Sequence, residues 1–193
     1  MNGKIAAGVI VVAAFIVGVA VYYLQVYAFY EEVELAENAP AVELTSLMSG
    51  APEEIIAENF EAIDADSSPI RYRACFTTPM SHSMLTETYE PYEGAVPLTG
   101  PGWFECYDAA VVGAALESGA ALAFVGQRDI EYGIDRVVAI TEDGHGYIWH
   151  QINTCGQTVY DGKPPPPGCP PPPGEGDNAA SDDTEAEMPQ EGE

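Results

Sequence analysis

The chain has 193 residues, enough for one compact domain with appendages and too few for two full-sized ones. Its 31 acidic side chains face only 6 basic ones, a formal charge of -25 at pH 7. That balance excludes nucleic-acid binding by phosphate neutralisation and makes anionic lipid headgroups poor partners.

Residues 5–24 form an uninterrupted uncharged stretch rich in Val, Ile, Ala and Phe. As a helix rising 1.5 Å per residue, such a stretch spans about 30 Å, the thickness of a bilayer's hydrocarbon core. Lys4 lies before it, whereas Glu31, Glu32, Glu34 and Glu37 crowd the far side. The positive-inside bias therefore predicts a cytoplasmic amino terminus, with the remainder exported. Tyr22, Tyr23, Tyr27, Phe29 and Tyr30 follow the apolar run, where aromatic rings favour the headgroup interface. A cleavable secretory signal is the competing reading, because Val26 and Ala28 are small enough for a cleavage site. The length of the apolar run and its meagre positive flank favour a retained anchor over residues 1–30. Ala14 and Gly18 have a small-xxx-small spacing, which arises readily by chance in so Gly/Ala-rich a span.

Residues 31–52 have little periodicity and carry Pro40, Pro52 and five glutamates, which predicts an acidic linker. Between 53 and 162 the pattern is mixed. A short apolar run at 55–60 is followed by a strand over 69–77, where Ile70, Tyr72, Ala74 and Phe76 alternate with Arg71, Arg73 and Cys75. Residues 81–89 can form a helical turn or two. Asp108 is a good N-cap for a helix over 109–118 that ends at Gly119. Residues 120–126 read as a buried strand, and 134–141 with 146–153 as a hairpin across Glu142, Asp143, Gly144 and His145. A last short strand is expected over 157–160. Hairpin-linked strands around one main helix predict an α+β fold, a small antiparallel-sheet domain behind one transmembrane helix. From Lys163 the chain becomes Pro-rich and then acidic, so 163–193 reads as a disordered tail with polyproline II spacers.

Cys75, Cys106, Cys155 and Cys169 are an even number of thiols in an exported chain, where disulfides form and persist. Three connectivities are open and spacing does not choose among them. The strand-end position of Cys75 and the pre-helix position of Cys106 favour that pair, and Cys169 is the outlier in the tail. No CxxC redox pair is present. The segment from Cys75 to Met84 gathers soft donors, and Met80, His82 and Met84 would suit Cu(I). Met80 and Met84 at i and i+4 also fit one apolar side of a short helix. His145 and His150 bracket the second hairpin strand, and its alternation places His150 with Ile148 and Ile152, in or near the core. Asp135 and Arg136 are adjacent in a strand, so they point to opposite faces. No GxSxG elbow, HExxH pair, P-loop or dinucleotide fingerprint is present, so no enzyme is expected and no cofactor apart from the copper alternative.

The stretches YLQVYAFYEEV (23–33), FEAIDADSSPIRYRACFTTP (60–79), GIDRVV (133–138) and WHQIN (149–153) resemble an uncharacterised family of single-pass envelope proteins of alphaproteobacteria. The resemblance spans residues 1–162 and leaves the tail outside. It implies a bacterial inner-membrane location with a periplasmic domain, and no reaction. Similar proteins are sometimes labelled histidine kinases, but about 110 residues after the linker have no room for a phosphoacceptor helix and a Gly-rich ATP-binding domain. The resulting expectation is a non-enzymatic accessory or interaction subunit of a membrane complex, with a copper-binding assembly factor as the alternative.

Overall fold

The computed structural model describes residues 3–28, 30–33 and 42–173. Helix α1 (Gly3–Tyr23) runs on through a π-helical turn at Leu24–Ala28. The most apolar 18-residue window within Gly3–Ala28 has a mean hydropathy of 2.7 and is not buried in the domain, so the stretch is long and apolar enough to cross a membrane. An apolar helix left uncovered by protein needs lipid to cover it.

The domain is built on a six-stranded antiparallel sheet with strands β1 (Glu31–Glu32), β4 (Glu58–Asp64), β5 (Arg73–Thr77), β6 (Ala121–Glu131), β7 (Ile134–Thr141) and β8 (His145–Ile152) in the order β1-β4-β5-β8-β7-β6. A separate hairpin of β2 (Glu43–Thr45) and β3 (Pro52–Glu54) lies over one face with α2 (His82–Thr88). Helix α3 (Ala109–Ser118) lies over the other. This arrangement is the expected α+β fold.

Side chains alternate across the sheet, so each inner strand feeds two cores. Ala74, Phe76, Val138, Ile140 and Ile148 pack with Val42, Leu44 and Leu85 on one face. Cys75, Val137, Ala139 and Trp149 pack with Phe104, Tyr107 and Val112 on the other. Burial on both faces explains why Val137–Ile140 reads as a continuous apolar run rather than an alternating one. The β7–β8 hairpin closes at Gly144, which has a φ of +85° and lies so near the Thr78 carbonyl that a Cβ would sit 2.4 Å from it. In α3 the Asp108 carboxylate accepts from the Ala110 and Val111 amides, and Gly119 ends the helix in the left-handed region.

Several expectations are corrected. Residues 31–52 are not a linker where the structure describes them. Strand β1 pairs with β4 directly after the membrane helix, and the Val33 amide donates to the Ala62 carbonyl. Val42 and Leu44 are core residues. Glu34, Glu37 and Pro40 lie outside the described residues. The strand expected at 157–160 is the end of helix α4 (Thr154–Tyr160), because the Asn153 side chain caps it by accepting from the Gly156 amide. Strand β6 runs past Gly126 to Glu131, following β7 through register shifts after Val125 and after Gln127. Over its described part the expected tail is tied down. Cys169 is bonded to Cys155, and the Tyr132 hydroxyl donates to the Pro170 carbonyl. Residues 174–193 lie outside the described residues.

Candidate functional site

The Met80, His82 and Met84 cluster is only partly assembled. Ser81 caps α2 by accepting from the Met84 amide, which turns the segment into a helix beginning at His82. Met80 and Met84 line one shallow depression of about 310 Å3 with Ile55, Ile56 and Tyr89. His82 points elsewhere, its Nε2 2.8 Å from the Ile140 carbonyl. Since a carbonyl only accepts, Nε2 carries the proton in that contact, leaving Nδ1 as the ring's lone pair. All four cysteines are bonded, Cys75 to Cys106 and Cys155 to Cys169, so no thiolate is left for a metal. Among the described residues no three His, Cys, Asp or Glu side chains converge as a metal site.

The four arginines concentrate the polar chemistry of the domain. Arg73 is buried, and among the described residues no carboxylate forms an ion pair with it. Its guanidinium donates to the carbonyls of Ile70, Tyr72, Leu98 and Thr99, stitching β5 to the loop before α3, and lies over the Tyr107 ring. Burial lowers its pKa from the ordinary value and raises that of Tyr107. On the opposite face Arg136 Nε donates to His150 Nε2 at 3.1 Å, while His150 Nδ1 lies 2.6 Å from the Pro69 carbonyl. Those two partners demand a neutral ring with its proton on Nδ1. Tyr72 stacks on His150 at 4.7 Å, and burial pushes the His150 pKa down to about 4. Both nitrogens are engaged, so this histidine is a structural one.

Asp135, on the other face of the same strand, reaches into a polar cleft of about 600 Å3 at the end of β6, β7 and β8. Its carboxylate is 1% exposed. Oδ1 accepts from the Asp129 amide at 3.0 Å and from Asn153 Nδ2 at 2.9 Å. Oδ2 has no donor at full hydrogen-bond distance and is paired with Arg128. Arg128 Nη1 stands 3.6 Å from Oδ2, and Arg128 Nη2 is committed to Glu90 Oε1 at 2.6 Å on the rim. Tyr92 forms a wall near Asp135. Burial, with a smaller effect of that carboxylate, pushes the Tyr92 pKa up to about 12. Close by, the backbones of Gly133 and Gly156 pack against each other, so that a Cβ on Gly133 would lie 2.2 Å from the Gly156 Cα. Asp129 holds the turn with a φ of +46°, accepting from the Gly133 amide. Sequence reasoning missed this cleft. Its one signal was a charged pair, Asp135 and Arg136, inside a strand whose other members are buried on both faces.

A third arrangement joins the domain to the membrane helix. The Trp103 indole donates to the Val26 carbonyl at 2.7 Å, Tyr27 stacks on the same ring at 6.4 Å, and Tyr30 meets it edge-on at 6.0 Å. The Arg71 guanidinium covers the Tyr30 ring at 5.7 Å. Expectation had the aromatic residues lining the headgroup region, and in the structure two of them, Tyr27 and Tyr30, also meet Trp103 of the domain, while Phe29 lies outside the described residues.

Fold and sites together define a class: a disulfide-linked antiparallel α+β domain carried on one amino-terminal apolar helix, with a polar cleft. The chain belongs to a family of unknown function (DUF6446), which it matches over residues 42–170. The match opens at the buried Val42 and closes one residue past Cys169, so the second disulfide lies inside the family's domain. No match to the chain was found among curated proteins or solved structures.

Proposed function

We propose that this is a non-enzymatic, membrane-anchored envelope protein of an alphaproteobacterium, with its amino terminus in the cytoplasm and its domain in the periplasm. There it serves as an accessory or interaction subunit of an inner-membrane complex. The observation that carries this reading is the junction of anchor and domain. Strand β1 joins the sheet edge within three residues of the helical stretch, and Trp103 donates to the Val26 carbonyl. A domain tied so closely to its anchor presents the same face at a constant height above the bilayer, which suits docking to a membrane neighbour better than searching the periplasm. Two disulfides support an oxidising compartment, and the change from Lys4 to Glu31 and Glu32 across the helix supports the orientation.

Gentle detergent extraction followed by cross-linking and co-purification tests the proposal. A defined membrane partner is expected, and a solitary monomer under those conditions refutes it. Alkaline phosphatase fused after Pro173 should be active, and an inactive fusion would overturn the orientation. A second reading, Cu(I) binding, is favoured by the two thioethers of Met80 and Met84 sharing one depression. Competition with bathocuproine, using Met80→Leu and His82→Ala, decides it: a chain that never withdraws copper from the chelator ends that reading.

A further inference from the structure

Arg71 is a guanidinium that the fold holds without pairing. The other three arginines all have acceptors: Arg73 donates to four carbonyls, Arg128 to Glu90 and Arg136 to His150. Arg71 Nη1 is shut away from water with no hydrogen-bond partner. Among the described residues no carboxylate forms an ion pair with Arg71, in a chain that carries 31 acidic side chains. Its guanidinium carbon lies 5.7 Å from the centre of the Tyr30 ring, a cation–π contact that occupies none of its N–H donors. Holding a half-buried cation with no counter-charge is costly, so an acceptor from outside the chain is what this position lacks.

The depth of that contact indicates which acceptor. The headgroup layer adds about 5 to 8 Å to each side of a bilayer's hydrocarbon core. The uncharged run ends at Leu24, and the helical turn from there to Ala28 climbs about 6 Å further, into that layer. Tyr30 follows two residues later, and Trp103 fastens the domain to the Val26 carbonyl, so Arg71 stands at the level of lipid phosphates. We propose that Arg71 binds the phosphate of a zwitterionic phospholipid in the bilayer that α1 spans. A guanidinium suits this ligand because its planar fork pairs bidentately with phosphate oxygens. The surroundings select a zwitterion over an anionic lipid. Ala28 and Glu31, which flank Tyr30 in the chain, line a depression of about 300 Å3 with Glu32, Asp64 and Asp66. Those carboxylates favour the headgroup's ammonium and repel a lipid of net negative charge. The site rests on reading α1 as a membrane span and is independent of any protein partner.

The test is titration of the full-length protein in detergent with phosphatidylethanolamine, read by native mass spectrometry. Saturable uptake of one lipid is expected, and diacylglycerol with the same acyl chains, which lacks the phosphate, should bind about tenfold more weakly, the worth of a charge-assisted hydrogen bond. Arg71→Gln should weaken the phospholipid by a similar factor. Arg71→Lys keeps the charge but loses the fork, so its loss should be smaller. Lys163→Gln removes the same charge from an exposed position and should leave the affinity unchanged. No saturable uptake, equal affinity for diacylglycerol, or equal losses in Arg71→Gln and Lys163→Gln would each overturn the proposal. So would tighter binding of phosphatidylglycerol, or displacement of the lipid by an equal concentration of inorganic phosphate, which would make this a site for a free anion. The lipid comparison on the unaltered chain and Arg71→Lys carry the test should Arg71→Gln fail to fold. Carbonate washing of membranes probes the span separately. A chain that stays in the washed membrane yet takes up no phospholipid refutes the site alone, whereas a chain released by the wash refutes the span and the site with it.

Discussion

Lowering the pH from 7 to 4 should remove stability through His150. The ring is 5% exposed, donates from Nδ1 to the Pro69 carbonyl and accepts from Arg136 at Nε2. Acid must put its proton on Nε2, which breaks the Arg136 hydrogen bond and sets an imidazolium against a guanidinium. Burial, the larger cause, and the nearby Arg136 and Arg73 charges together hold the folded-state pKa at about 4, against 6.5 for a free side chain. Because the folded value lies below the unfolded one, the unfolded chain takes up the proton first. The stability is complete above pH 6.5, falls as pH drops below it, and is gone near pH 4. At 1.36 kcal/mol for each pH unit, the gap corresponds to about 3 kcal/mol. Asp64 works in the opposite direction, since burial raises its pKa and acid favours its folded form. The informative measurement is therefore a comparison. Urea denaturation of the unaltered chain and of His150→Gln, which keeps a donor and an acceptor, should show their stability difference shrinking from pH 7 to pH 4. Parallel curves across that range would refute the assignment of a neutral, structurally locked imidazole.

Other expectations follow from the same packing. Leu44→Ala should destabilise by about 2 to 4 kcal/mol in urea, the usual cost of emptying a large buried aliphatic site, whereas a linker residue would cost nothing. Cys75→Ala with Cys106→Ala opens a loop of 31 residues and should cost about 3.5 kcal/mol on the chain-entropy model, against about 3 kcal/mol for the 14-residue loop of Cys155 and Cys169. Thermal melts of the two double variants report the comparison, and unchanged melting of either would contradict the bonded pairs. Gly133→Ala should be among the most damaging single-methyl additions, because the residue has a φ of +75° and its Cβ would overlap Gly156. A soluble, fully folded Gly133→Ala protein by circular dichroism would show that α4 does not pack where it is placed.

Much of the architecture was legible without coordinates because its causes are local. An apolar run of bilayer length, the alternation along β5 and β8, the Asp108 cap of α3 and the turn at Gly144 all depend on neighbours a few residues away. Misreadings arose where a remote partner overruled a local signal. Val42 and Leu44 sit in an acidic, proline-bearing stretch, yet they are buried because α2 and the sheet cover them. The segment Gln157–Tyr160 reads as a short strand, but Asn153 and the close Gly133–Gly156 contact commit it to a helix. Cys169 looks stranded among prolines until Cys155 is brought to it.

Sequence by itself thus determined an apolar span of bilayer length, an acidic domain of antiparallel strands, and the thiols available for bridging. Only the tertiary structure decided which charges meet. Glu90 and Arg128 are 38 residues apart in the chain, and Asp135 reaches Asn153 across 18. Such contacts depend on the turn closing β6 onto β7 and on where β8 ends. Periodicity in one segment cannot encode them, because a side chain's neighbour across a sheet is set by register and not by spacing.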